Sequence, residues 1–113
     1  MNMIVAFIKP HRLDDVVFAL HQIEGLTGVS TSTIDGFGRD RTRSPSVGET
    51  EVALETSPHA RLEIVCRHEL AASVVETIEN AAHTGLRGDG KIYVLPVEDA
   101  RRISSGERGK NAV

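Results

Sequence analysis

Thr84-Gly85-Leu86-Arg87-Gly88-Asp89-Gly90-Lys91-Ile92-Tyr93-Val94 joins two apolar segments of different period. Before it, Leu70, Val74, Val75, Ile78 and Ala81 or Ala82 recur at helical spacing, which predicts one apolar helix side. Gly85 stands where a left-handed residue would end that helix. After it, Ile92 to Val97 reads as a strand, and Pro96 near its end points to a sheet edge. The stretch is therefore a helix-to-strand turn. Its three glycines and one lysine fall within seven residues, 85–91. Glycines let successive N–H groups face a ligand, and a lysine adds a mobile positive charge, so the turn suits an anion such as phosphate.

Gly85 to Lys91 also fits Gly-x-x-x-x-Gly-Lys, the spacing of a Walker loop. Two features exclude that reading. Ile92 stands where Ser or Thr would hold Mg²⁺, and the chain runs from helix to strand, whereas a Walker loop places phosphates on a following helix N-terminus.

Upstream of the second helix, Leu62 to Cys66 reads as a strand. The first half of the chain repeats this order. Met3 to Ile8 is a short apolar strand stopped by Pro10. Leu13, Val16, Val17, Leu20 and Ile23 form an amphipathic helix, with Asp14 and Asp15 at its dipole-positive start. Gly25 and Gly28 close it, and Val29 to Phe37 is a strand rich in Thr and Ile. The halves align at an offset of 57, pairing Leu13 with Leu70, Val17 with Val74 and Thr27-Gly28 with Thr84-Gly85. Two βαβ units predict an α+β, ferredoxin-like βαββαβ domain spanning 1–113: a four-stranded antiparallel sheet with two helices on one face. The other face lacks cover, which predicts self-association.

The connection Gly38 to Ala60 is long and polar, a functional or mobile loop. The tail after Ile103 is polar and expected to be flexible (about 104–113). Net charge is −3 with four aromatics, which argues against a nucleic-acid binder. Cys66 is the only cysteine, so no intrachain disulfide forms. The first ten residues lack a basic n-region, and their apolar run is too short to span a bilayer; a cytoplasmic protein with no membrane insertion is expected. The five histidines show no metal-ligand spacing and read as surface residues.

The chain resembles the PII signal-transduction proteins over nearly its whole length. The resemblance rests on Ile8-Lys9-Pro10 with Leu13-Asp14-Asp15-Val16, Gly36-Phe37-Gly38-Arg39, Leu62-Glu63-Ile64-Val65, Thr84 to Val97, and Arg102-Ile103 with Gly106-Glu107. It implies a homotrimer that binds ATP or ADP in clefts between subunits, regulating a partner enzyme or transporter in nitrogen control through a long T-loop (about 38–60). The implied nucleotide contacts are Gly88, Asp89, Gly90 and Lys91 at the phosphates, Gly38 and Arg39 at the T-loop base, Ser30, Glu63 and Val65 near base and ribose, and Arg102, Ile103 and Ser104 from the C-terminal segment.

Departures from the family pattern carry expectations of their own. Val52 replaces the tyrosine that many members uridylylate, so that modification is excluded; Ser46 and Thr50 are the remaining hydroxyls of note. Asp40 stands for a glutamine beside Mg²⁺ and 2-oxoglutarate. It would still hold Mg²⁺ but repel the dicarboxylate. His59 replaces a lysine for the same ligand, so weak or absent 2-oxoglutarate response is expected. Ser104 replaces an arginine, removing one phosphate-facing cation and favouring ADP or AMP relative to ATP. Two rival readings are a PII-type sensor of bicarbonate or a metal ion, and a slow ATPase with Asp89 or Asp40 positioning water.

Overall fold

The computed structural model describes residues 1–37 and 57–113. Gly38, Arg39, Asp40, Ser46, Thr50 and Val52 lie outside the described residues. The elements run β1 (Asn2–Ile8), a 3₁₀ turn (Pro10–Arg12), α1 (Leu13–His21), β2 (Ser30–Gly36), β3 (Ser57–Cys66), α2 (His68–Ala82), β4 (Gly90–Pro96) and a second 3₁₀ turn (Gly109–Ala112). Pro10 stops the first strand by opening a helical turn, where its missing N–H costs nothing.

The strands form one antiparallel sheet in the order β2-β3-β1-β4. This is the ferredoxin-like arrangement, and β4 with its Pro96 is indeed an edge. One sheet face presents Ile4, Ala6 and Ile8 beside Ala60, Leu62, Ile64 and Cys66, all buried. Val16 and Leu20 of α1 and Ala71, Val74, Ile78 and Ala82 of α2 complete this core. The helical spacing thus selects the side that packs. Burial also pushes the Cys66 thiol up, leaving it a small apolar core group.

Among the described residues no helix covers the second face. Phe7 and Tyr93 meet edge-on there, with ring centroids 6.2 Å apart, and Arg61 lies over Phe7 at 5.8 Å. Tyr93 and Leu95 remain 48% and 44% exposed.

The start of β3 and the C-terminal segment depart most from the sequence reading. β3 begins at Ser57, not Leu62, so residues 57–60 belong to the sheet and not to the long connection. Pro58 and His59 hide this start because the strand pairs there with the polar edge strand β2, through Asp35 and Ile34. The segment expected to be a flexible tail has described structure. Arg101 bridges Arg108, Arg102 N–H donates to Glu107 O at 2.9 Å, and Gly109 N–H donates to Ala100 O at 2.9 Å.

Candidate anion-binding turn and base pocket

The turn between α2 and β4 is built around Asp89. Its carboxylate accepts from the Thr84 amide at 2.8 Å, the Gly85 amide at 3.1 Å and the Thr84 hydroxyl. Lys9 Nζ sits 3.2 Å from the same carboxylate and donates to Thr84 Oγ1 at 3.1 Å. Thr84 Oγ1 in turn accepts from the Leu86 amide at 3.1 Å. The Thr84 hydroxyl and amide first, then Lys9 and the Gly85 amide, hold the Asp89 carboxyl far below the usual carboxylate range. His83 Nδ1 lies 3.6 Å away at the rim.

Asp89 therefore faces inward. Its side chain organises the turn. One correction concerns Gly85. α2 ends at Ala82 with His83 extended, so the left-handed Gly85 (φ +81°) shapes the turn and does not cap the helix. Arg12 serves the helix end instead, donating through Nε and Nη2 to Ala81 O at 3.0 and 2.6 Å.

Two glycines have distinct reasons to be glycine. Gly90 has φ +110°, and a Cβ there would lie 1.7 Å from Phe7 O, because the turn crosses the end of β1 in contact. Gly88 has φ +80° and meets only Lys9 Cε at 3.8 Å. With the carboxylate turned in, the outer surface of the turn consists of exposed Arg87, Gly88, Gly90 and Lys91. Lys9 and Arg12 were not legible as site residues in the sequence. The only signal was that Ile8-Lys9-Pro10 forms part of the family resemblance.

Because Asp89 is ionised only above a depressed pKa, its contribution is complete above the ordinary value of 3.8 and fades as pH falls through the native value. Asp89→Asn is therefore expected to lower the melting temperature by a constant amount at pH 5–8. That gap to wild type should narrow below about pH 4, where the unfolded chain takes up the proton. Differential scanning calorimetry from pH 3 to 8 measures it; a gap that does not shrink in acid contradicts the assignment.

The other implied contacts lie elsewhere. Ser30, Glu63 and Val65 line a cavity of about 370 Å³ with Met3, Val29 and Val113. Glu63 there is paired with Arg61 at 2.6 Å. In register, Val65 lies beside Met3 and Lys91 beside Phe7, so cavity and turn are four residues apart along β1, about 13 Å. β2 leaves the sheet at Gly36, opposite Ser57 and at the turn's end. Arg102, Ile103 and Ser104 lie in the hairpin bridged by Arg101 and Arg108, which follows β4 from the cavity's end; Ile103 is 99% exposed. One protomer thus separates the implied site into two parts. His59, read as a replacement for a ligand lysine, donates from Nδ1 to Ser57 O at 2.9 Å. Among the described residues no group of three metal-ligating side chains occurs, and no helix is long and apolar enough to cross a membrane.

The family model for nitrogen regulatory protein P-II matches residues 1–107. The chain belongs to the P-II family. P-II proteins of Azospirillum brasilense and Rhodospirillum rubrum are 40% and 41% identical to it over 113 residues, the full length of each chain. The solved structure of Arabidopsis thaliana PII bound to citrate superposes with a TM-score of 0.80 at 37% identity, covering 99% of this chain and 91% of that one. The P-II fold is therefore shared, and membership in this family carries a regulatory, signal-transducing role with it.

Proposed function

We propose that this P-II protein binds adenine nucleotides, ATP or ADP, between subunits of a homotrimer and regulates a partner enzyme or transporter through the segment joining β2 and β3. The observation that carries the reading is the preorganised turn. Thr84, Gly85 and Lys9 engage Asp89, and Arg87, Gly88, Gly90 and Lys91 stand exposed where a polyphosphate would sit. The role of Gly88, Gly90 and Lys91 is to meet phosphate. Asp89 joins them through its main chain and as organiser. Ser30, Glu63 and Val65 supply the base half, and Arg102 with Ile103 and Ser104 extends from that end. Because the two halves stand apart in one chain, a neighbour's cavity must face this chain's turn. The uncovered sheet face, with Phe7, Tyr93 and Leu95, supplies apolar area for such assembly.

Signalling then follows from population shift: a nucleotide favours one arrangement of the β2–β3 segment, and the partner reads that arrangement. Asp40 offers a hard oxygen to Mg²⁺ beside the phosphates. Binding without turnover is the favoured reading, since Asp89 is committed to its own turn. The citrate found on Arabidopsis PII is itself a polyanion, which supports an anion-receptive surface in this family.

Isothermal titration with ATP, ADP and AMP, each with and without 2-oxoglutarate, tests the proposal on material whose assembly is checked by light scattering. A trimer binding adenylates, and indifferent to 2-oxoglutarate, is expected. Micromolar 2-oxoglutarate binding alongside Mg-ATP contradicts the reading of Asp40 and His59. A monomer that ignores every adenylate at millimolar concentration overturns the whole.

A further inference from the structure

Part of the base pocket's lining is not supplied by the strands. Met3 of β1 and Val65 of β3 lie side by side on the uncovered sheet face. Together they form a floor, with Ser30, Glu63 and Val29 beside them. Thr27 and Gly28 line it from the α1–β2 connection, and Val113 is brought to it from the far end of the sequence. The route is defined by main-chain contacts. Val97 N–H donates to Met1 O at 3.1 Å, the Arg101–Arg108 bridge reverses the chain, and Gly109 turns it again at φ +66° while donating to Ala100 O. The 3₁₀ turn Gly109–Ala112 then delivers Val113 to the pocket, half-buried, its amide donating to Lys110 O at 3.4 Å.

A flat heterocycle has two faces to desolvate. Among the described residues no aromatic lines this pocket, so the surface this chain offers to a base is aliphatic. The sheet floor covers one. The cavity stays open with Val113 in place, so this residue is a wall and not a plug.

We infer that Val113 is a further binding residue of the base half-site, packing on the face of the purine opposite Met3 and Val65. The inference rests on the nucleotide reading above and adds a residue to it. It makes the 3₁₀ turn Gly109–Ala112 a strap whose seating follows occupancy of the base, while the phosphates are held elsewhere.

The experiment compares wild type with Val113→Ala and Val113→Asp, using ATP, adenosine and inorganic tripolyphosphate as separate probes. Removing the isopropyl contact is expected to weaken ATP and adenosine by several-fold, and a carboxylate against the ring by about tenfold or more. Tripolyphosphate, which has no base, should bind all three proteins alike. Unchanged ATP and adenosine affinity in both variants overturns the inference, as does tighter binding, which would make Val113 an obstruction. An equal loss for tripolyphosphate also overturns it, since that marks a general structural defect. If wild type binds neither ATP nor adenosine, the nucleotide reading itself fails, and the inference with it. Light scattering on each variant shows whether assembly is intact, and the Ala variant keeps the test decisive should the Asp variant not assemble.

Discussion

Gly90→Ala is expected to yield little or no folded protein. The added methyl would stand 1.7 Å from Phe7 O and 2.8 Å from Phe7 C, both main-chain atoms that cannot step aside by changing rotamer. The backbone at φ +110° adds strain of its own. Relief requires β4 to move off β1, and the pairing from Ile8–Gly90 to Asn2–Pro96 begins at this contact. Severe clashes of this kind cost about 4 kcal/mol or more, against a total stability of about 5–15 kcal/mol for a domain. Gly88→Ala is the control. Its φ is equally unfavourable at +80°, but its nearest neighbour is a lysine carbon at 3.8 Å, so only about 1–2 kcal/mol is lost. Thermal melts of the two variants side by side separate close approach from backbone strain. Equal melting temperatures would show that the crossing of turn and strand is not tight.

Lys91→Ala is expected to lose about a hundredfold in ATP affinity, the scale of truncating one partner of a desolvated charge pair. The side chain lies on the uncovered face beside Phe7, at the base of the turn. It is exposed in the single chain, so its removal leaves the core untouched and the fold should melt as wild type does. The loss should grow from AMP to ADP to ATP as phosphate charge increases. A variant that binds ATP as wild type does would remove the ammonium from the proposal.

The helices and their buried sides were legible because Val16, Leu20, Val74 and Ile78 follow a 3.6-residue period that only one packing satisfies. β1 was legible for a different reason: a strand between two others must be apolar where the helices cover it. The start of β3 was not legible, since Ser57 to His59 pair only with the polar edge β2, where burial imposes no pattern. The turn was found by its glycines, yet the inward partners of the Asp89 carboxylate were not, because they are fixed by tertiary contacts. Lys9 is 75 residues from Thr84 in sequence, and Arg12 is 69 from Ala81. No local spacing announces such pairs. The division of the site between two ends of the sheet was likewise invisible until register placed Val65 beside Met3 and Lys91 beside Phe7.

That division has a genetic counterpart. Copies carrying Lys91→Ala keep a sound base pocket, and copies carrying Val65→Asp keep a sound turn. Neither population alone could retain a nucleotide on the proposed reading. Mixed and allowed to exchange subunits, the two defective proteins would rebuild whole sites wherever a good pocket met a good turn. Two silent alleles could then restore each other's signal in one cell.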